Sequence, residues 1–150
     1  MKVSNPKPPV LIARTLLFLL QGRIHFDKDI IGKVVHEDDD YIIFRRVILD
    51  PRRGQPKSPG AIFRVRFTFA RMSISTNKKL SLIPIPLIIG QPGFRSKTWM
   101  IGKKTGTFQG LYEWDTIESA ENYWNSFPMK LMKRRSIPET LNYEIHPVDN

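Results

Sequence analysis

No cysteine occurs in the 150 residues of the chain. Disulfides, thiolate-ligated zinc, iron–sulfur clusters and thiol nucleophiles are therefore excluded together. Histidine is scarce: His25, His36 and His146 are the only ones, and none falls between residues 37 and 145. No His/Asp/Glu cluster has the spacing of metal ligands, so no metal and no cofactor is expected. The Gly-x-Ser-x-Gly elbow, the glycine-rich phosphate loop and the dinucleotide fingerprint are also missing, which removes serine-nucleophile hydrolysis, nucleotide hydrolysis and Rossmann-type binding. Long apolar runs are missing as well. Val10 to Leu20, broken by Arg14, would span about 16 Å as a helix, roughly half a bilayer's hydrocarbon core. It is too short to cross, and Gln21-Gly22-Arg23 is a poor signal-cleavage site. A buried helix is the expectation, with peripheral membrane contact as the alternative. Nothing argues for secretion, and a cytoplasmic protein is expected.

What is present is an ordinary globular composition, 41% hydrophobic and 25% charged, enough for one domain with an extension. The formal net charge is +10, and it is uneven: residues 1–50 carry eight Lys/Arg against seven Asp/Glu, residues 51–150 sixteen against seven. A basic surface attracts nucleic acid, anionic lipid or acidic ligands. Here the cations are scattered over several elements, as on a solvated exterior.

Along the chain, Pro8-Pro9 starts a helix that ends at Gly22. Ile31 to Glu37 and Tyr41 to Leu49 form a hairpin around Asp38-Asp39-Asp40. Asp50 to Gly60 holds three prolines, two glycines and no apolar residue, and marks a linker. Residues 1–60 are thus read as an extension and 61–150 as the main domain. From Ala61 the pattern alternates, with Phe63, Val65, Phe67 and Phe69 on one face and Arg64, Arg66 and Thr68 on the other, as in a half-buried strand. Asn77 to Ile89 reads as a short helix plus an irregular apolar segment, because Pro84 and Pro86 forbid one long helix. Core packing is the plain role of Leu82 to Ile89, and a cover over a pocket is the alternative. Phe94 to Ile101 and Thr107 to Trp114 form a hairpin. Asp115 is the expected cap of the next helix, with Glu118 completing a capping box. Pro128 interrupts that helix, a second piece runs to Arg135, and Leu141 to His146 is the last strand. The order from residue 61 is β-α-β-β-α-β, an α+β, ferredoxin-like plan.

Pro92-Gly93-Phe94, Lys97-x-Trp99, Gly110-Leu111-Tyr112 and the helix from Asp115 to Tyr123 with Ser119-Ala120 carry a resemblance. Residues 61–147 resemble the YdhR-like monooxygenases of the dimeric α/β-barrel group, related to antibiotic-biosynthesis monooxygenases. The resemblance implies a homodimer whose sheets pack face to face into a barrel, with a mostly apolar pocket between each sheet and its helices. It also implies a cofactor-independent monooxygenase, in which the substrate itself activates oxygen without metal or flavin. The N-terminal extension and the broken first helix of the domain depart from the pattern.

Candidate pocket residues are Phe67, Trp99, Tyr112, Trp114, Tyr123, Trp124, Tyr143 and Arg95, with Trp99 and Tyr112 foremost because they fall in the resembling segments. Such a set fits a hydrophobic or aromatic small molecule; pure core packing is the competing role for each. No catalytic residue is assigned, and His146 is read as a polar strand-end residue. A non-catalytic dimeric binding module is the alternative function. RNA-recognition domains share the element order, but Gly106 to Trp114 fails their strand motif at the glycine and basic positions and inserts Glu113. Nucleic acid is therefore not an expected partner.

Overall fold

The computed structural model describes residues 5–69 and 73–148. In chain order the elements are α1 (Pro8–Leu20), β1 (Ile24–Phe26), β2 (Val34–His36), β3 (Asp40–Leu49), β4 (Ala61–Phe67), α2 (Ile74–Leu80), α3 (Ile85–Ile89), β5 (Phe94–Gly102), β6 (Phe108–Trp114), α4 (Ile117–Trp124), α5 (Phe127–Arg135) and β7 (Asn142–Pro147), with a 3-10 turn at Pro138–Thr140. The strands build one antiparallel sheet in the order β1-β3-β5-β6-β4-β7, and β2 also pairs with β3. Strands β4 to β7 follow the split β-α-β arrangement of the ferredoxin-like plan, with β6 between β4 and β5 and β4 between β6 and β7.

The segment before residue 60 is continuous with this sheet. Strand β3 pairs with β5 from Tyr41↔Gly102 to Ile48↔Ser96. The expected hairpin is present with a shorter first arm, since only Val34–His36 is extended, and β1 takes the rest of that edge. Asp39 ties the hairpin turn to the β5–β6 turn. Its carboxylate accepts from the Lys104 and Thr105 N–H groups and from the Thr105 hydroxyl. Gly102 leaves room for it, because a Cβ there would lie 2.6 Å from Asp39 Oδ2.

The helices cover the sheet face that carries Phe63, Val65, Phe67, Trp99, Ile101, Phe108, Tyr112 and Trp114, and the main core lies between them. On the opposite face Tyr41, Ile43 and Met100 form a smaller cluster against Ile30, Val35 and Leu111. Beside it Arg64 pairs with Glu37 at 3.2 Å and Glu144 at 2.9 Å, and Arg66 pairs with Glu37 and Asp38.

Three local expectations are corrected. Helix α1 is buried on one side only: Leu11, Thr15 and Phe18 face inward, while Val10, Ile12, Leu16, Leu17, Leu19 and Leu20 stay exposed. Its principal helical neighbour is the short α3, approached closely because Gly90 has no side chain to meet the Leu11 carbonyl. No helix among the described residues is long and apolar enough to cross a membrane. The segment after α2 is irregular only over residues 81–84, which form turns, and its second half is the short helix α3. Pro84 is the N-cap of α3 and Pro86 lies in its first turn, where a missing N–H costs no helical bond. Finally, Thr116 rather than Asp115 caps α4, accepting from Ser119 N–H, because Asp115 is taken by Arg95.

The Asp39 carboxyl is held down to about 2, first by the Thr105 N–H, with the Thr105 hydroxyl and the Lys104 and Asp40 N–H groups adding to it. A folded value below the unfolded one, near 3.9, means stability that is present above about pH 4 and lost as pH falls through about 2. Acid titration of unfolding should show that part of the limb in the native chain and lose it in Asp39→Asn; superimposable acid limbs would remove Asp39 as its source.

Candidate functional site

The pairing register sets side chains of the helix-covered face in rows across the sheet. One row runs Phe63, Tyr112, Lys97, Val47; the next runs Val65, Gly110, Trp99, Arg45; a third holds Phe67, Phe108 and Ile101. A bulge at Ile43/Arg45 shifts β3 by one residue, which moves Arg45 onto the face of Trp99 although Ile43 packs on the other. Over these rows lies a cavity of about 110 Å³. Its floor is Phe67, Lys97, Trp99, Phe108, Gly110 and Tyr112. Its roof comes from α2 and the turn after it, from Leu87 and Ile88 of α3, from Tyr123, and from Met129 and Met132 of α5. Exposed Ile83 and Arg135 mark its mouth.

Four of the eight candidate residues converge here: Phe67, Trp99, Tyr112 and Tyr123. The other four do not line the cavity, each for a visible reason. Trp114 belongs to the row beyond its closed end, where it is fully buried against Phe94 and Tyr123. Arg95 sits in a bulge at the start of β5, pairs with Asp115, and borders a separate polar cavity with Arg14, Arg23, Arg52 and Asp50. Trp124 stacks on Tyr143 with ring centres 3.8 Å apart, at the β7 edge, with the Lys133 ammonium over the indole. Tyr143 is itself 43% exposed. Of the segment from Leu82 to Ile89, Ile83, Pro84, Leu87 and Ile88 line the cavity.

Two residues of the resembling segments that are absent from the pocket candidates, Gly110 and Lys97, shape the floor. Gly110 stands beside Lys97 and Tyr112, and a Cβ there would lie 2.9 Å from the Tyr112 ring and 3.4 Å from Lys97 Cε. Lys97 is only 8% exposed, and its Nζ lies 4.4 Å from the Trp99 ring centre and 4.6 Å from that of Tyr112. Among the described residues its amine has no hydrogen bond and no carboxylate partner, and its contacts are the two ring faces. The signal was available in the alternation of β5, because Lys97 has the parity of Trp99.

The electrostatics follow from burial. Desolvation, with the Arg45 cation adding to it, holds the Lys97 amine well below its usual range. Burial pushes the hydroxyls of Tyr112 and Tyr123 up, so both stay protonated, and they hydrogen-bond each other at 3.1 Å. Among the described residues no Asp, Glu or His lines the cavity. The three histidines lie at the surface beside carboxylates: His25 with Asp50, His36 with Asp40 and His146 with Glu144. Among the described residues no group of three or more His, Asp or Glu could hold a metal ion.

With this geometry in view, similarity to known proteins is confined to structure. Scans against protein-family models and against curated proteins give no match. Among solved structures, an uncharacterized ferredoxin-fold protein related to antibiotic biosynthesis monooxygenases, from Listeria monocytogenes, superposes with a TM-score of 0.59 at 12% identity, covering 79% of this chain and 69% of that one. A heme-degrading enzyme from the same organism gives 0.58 at 12% identity, covering 77% and 74%. The chain has the ferredoxin-like fold. At such identity the likeness speaks for the backbone and leaves the reaction to the residues of the site.

Replacing Lys97 with methionine removes a desolvated amine while keeping much of its volume. The variant should melt higher at neutral pH by roughly 2–4 °C, the equivalent of about 1 kcal/mol. A base with a lowered folded pKa makes stability rise as pH climbs toward about 10.4, the unfolded value. Melting curves from pH 6 to 10 should show that rise in the native chain and not in Lys97→Met; parallel profiles would refute the assignment.

Proposed function

We propose that this chain binds a small hydrophobic or aromatic molecule between the sheet and its helices, and that the chemistry is the cofactor-independent monooxygenation implied by the resemblance to YdhR-like proteins. The observation that carries the proposal is the cavity itself: a mostly apolar pocket with Trp99, Tyr112, Tyr123 and Phe67 converging on it, in a fold shared with an uncharacterized protein related to antibiotic biosynthesis monooxygenases. At about 110 Å³ it is smaller than the ~150 Å³ cavity that accommodates benzene, so a single ring is the upper limit and fills it only with some side-chain movement or by reaching into the mouth. A tetrapyrrole fits poorly, because the space is small and no imidazole of the described residues lines it. Apolar walls supply the binding energy, and the protonated Tyr112–Tyr123 pair supplies orientation through hydrogen bonds.

A binding module without turnover is the second reading, and one observation favours it: among the described residues no carboxylate or imidazole lines the cavity to take a proton from a substrate. The homodimer belongs to the same proposal. Native mass spectrometry on freshly purified protein reports subunit count and retained molecule together, and an oxygen electrode then separates the two readings for any molecule recovered.

Two variants test the location. Trp99→Ala should weaken binding of a one-ring ligand about tenfold to a hundredfold through lost apolar contact. Gly110→Ala should weaken it too, because the new methyl displaces the Tyr112 ring and Lys97 into the space. Titration calorimetry on folded variants decides, and affinities equal to that of the native chain would place the ligand elsewhere.

A further inference from the structure

We propose that Lys97 is the reactive group of the cavity, and that its amine forms an imine with the carbonyl carbon of a small apolar aldehyde or ketone. The proposal rests on the reading of the cavity as the ligand site and names the functional group its ligand carries.

Placement is the first support. The amine emerges from the centre of β5, a strand buried along its whole length, and ends between the faces of Trp99 and Tyr112. A lysine buried for structural reasons normally meets a carboxylate or a set of carbonyl oxygens, because an uncompensated ammonium is costly away from water. Lys97 has neither among the described residues, and the charged groups nearest the cavity are cations: Arg45 behind Trp99, held by Ser81 Oγ and the Lys78 carbonyl, and Arg135 at the mouth. Gly110 is the second support. With no side chain beside Lys97 Cε, the terminal carbons of the lysine border open cavity.

Chemistry is the third. Burial and a neighbouring cation both favour the neutral amine, the form that attacks carbonyls. The nitrogen lone pair forms a C–N bond as the carbonyl π electrons move to oxygen. The nitrogen proton passes to that oxygen to give a carbinolamine. Loss of the hydroxyl with a proton, as water, leaves the C=N bond. Amine plus carbonyl compound therefore gives imine plus water, with no oxidant or reductant required. The Tyr112 hydroxyl on the floor accepts a hydrogen bond from Tyr123 of the roof, and its own proton, held on by burial, is the local donor to the departing oxygen.

The test uses benzaldehyde at substoichiometric ratio with cyanoborohydride at neutral pH, followed by peptide mapping. Lys97 should carry the benzyl group at least tenfold more than any other lysine, and Lys97→Met should lose that adduct. Labelling spread over the exposed lysines, with Lys97 not preferred, would overturn the proposal. Benzyl alcohol, which keeps the ring and lacks the carbonyl, is titrated in parallel against Trp99-dependent fluorescence. Saturable quenching without a Lys97 adduct overturns the imine and leaves the ligand site standing; neither quenching nor adduct overturns both. Because the decisive map is made on the native chain, the result does not depend on any variant folding.

Discussion

The pairing of β3 along β5 is the constraint from which the site follows. In the four-strand plan alone, β5 would be an edge strand, with one row of backbone groups and the ends of its side chains open to water. With β3 in place it has hydrogen-bonded neighbours on both sides, helices over one face and the Tyr41–Ile43–Met100 cluster on the other, and each of its residues is buried. That arrangement takes a lysine out of water. On an edge, Lys97 would reach solvent along its flexible stem and titrate normally; enclosed, it becomes an amine with two aromatic faces and no counter-ion among the described residues.

The same pairing positions the wall behind Trp99. The bulge at Ile43/Arg45 places Phe44 and Arg45 on the helix side of β3, where Phe44 meets Phe108 edge to face and Arg45 holds the end of α2. One extra residue in a strand thus connects the N-terminal hairpin to the roof of the cavity. Gly110 does the complementary work in β6. A side chain there would close the floor, and its absence leaves the space that Lys97 and Tyr112 border.

Much of this was legible from residue order. Alternation in Ala61 to Phe69 identified a half-buried strand, the prolines at 84, 86 and 128 marked helix boundaries, and the aromatics of the β5–β6 hairpin pointed to the covered face. Trp99, Tyr112, Tyr123 and Phe67 met in the cavity because parity and helical position are local properties. Trp114, Trp124, Tyr143 and Arg95 went elsewhere because position along a strand, a bulge and an edge are set by partners far away in sequence. Asp115 was legible as a helix-start residue, but Arg95, twenty residues upstream, took its carboxylate and left the cap to Thr116.

By itself, the sequence determined the elements, their order and the chemistry that is excluded, since propensity, periodicity and the absence of cysteine are written in neighbouring residues and in composition. Only the tertiary structure decided that residues before the linker extend the sheet, that the α1 helix keeps an exposed apolar side, and that Lys97 is buried beside Trp99. The physical reason is that burial is a property of which surfaces meet: pairing of β3 with β5, about fifty to sixty positions apart in the chain, decides the first and third, and packing of α1 on α3 decides the second.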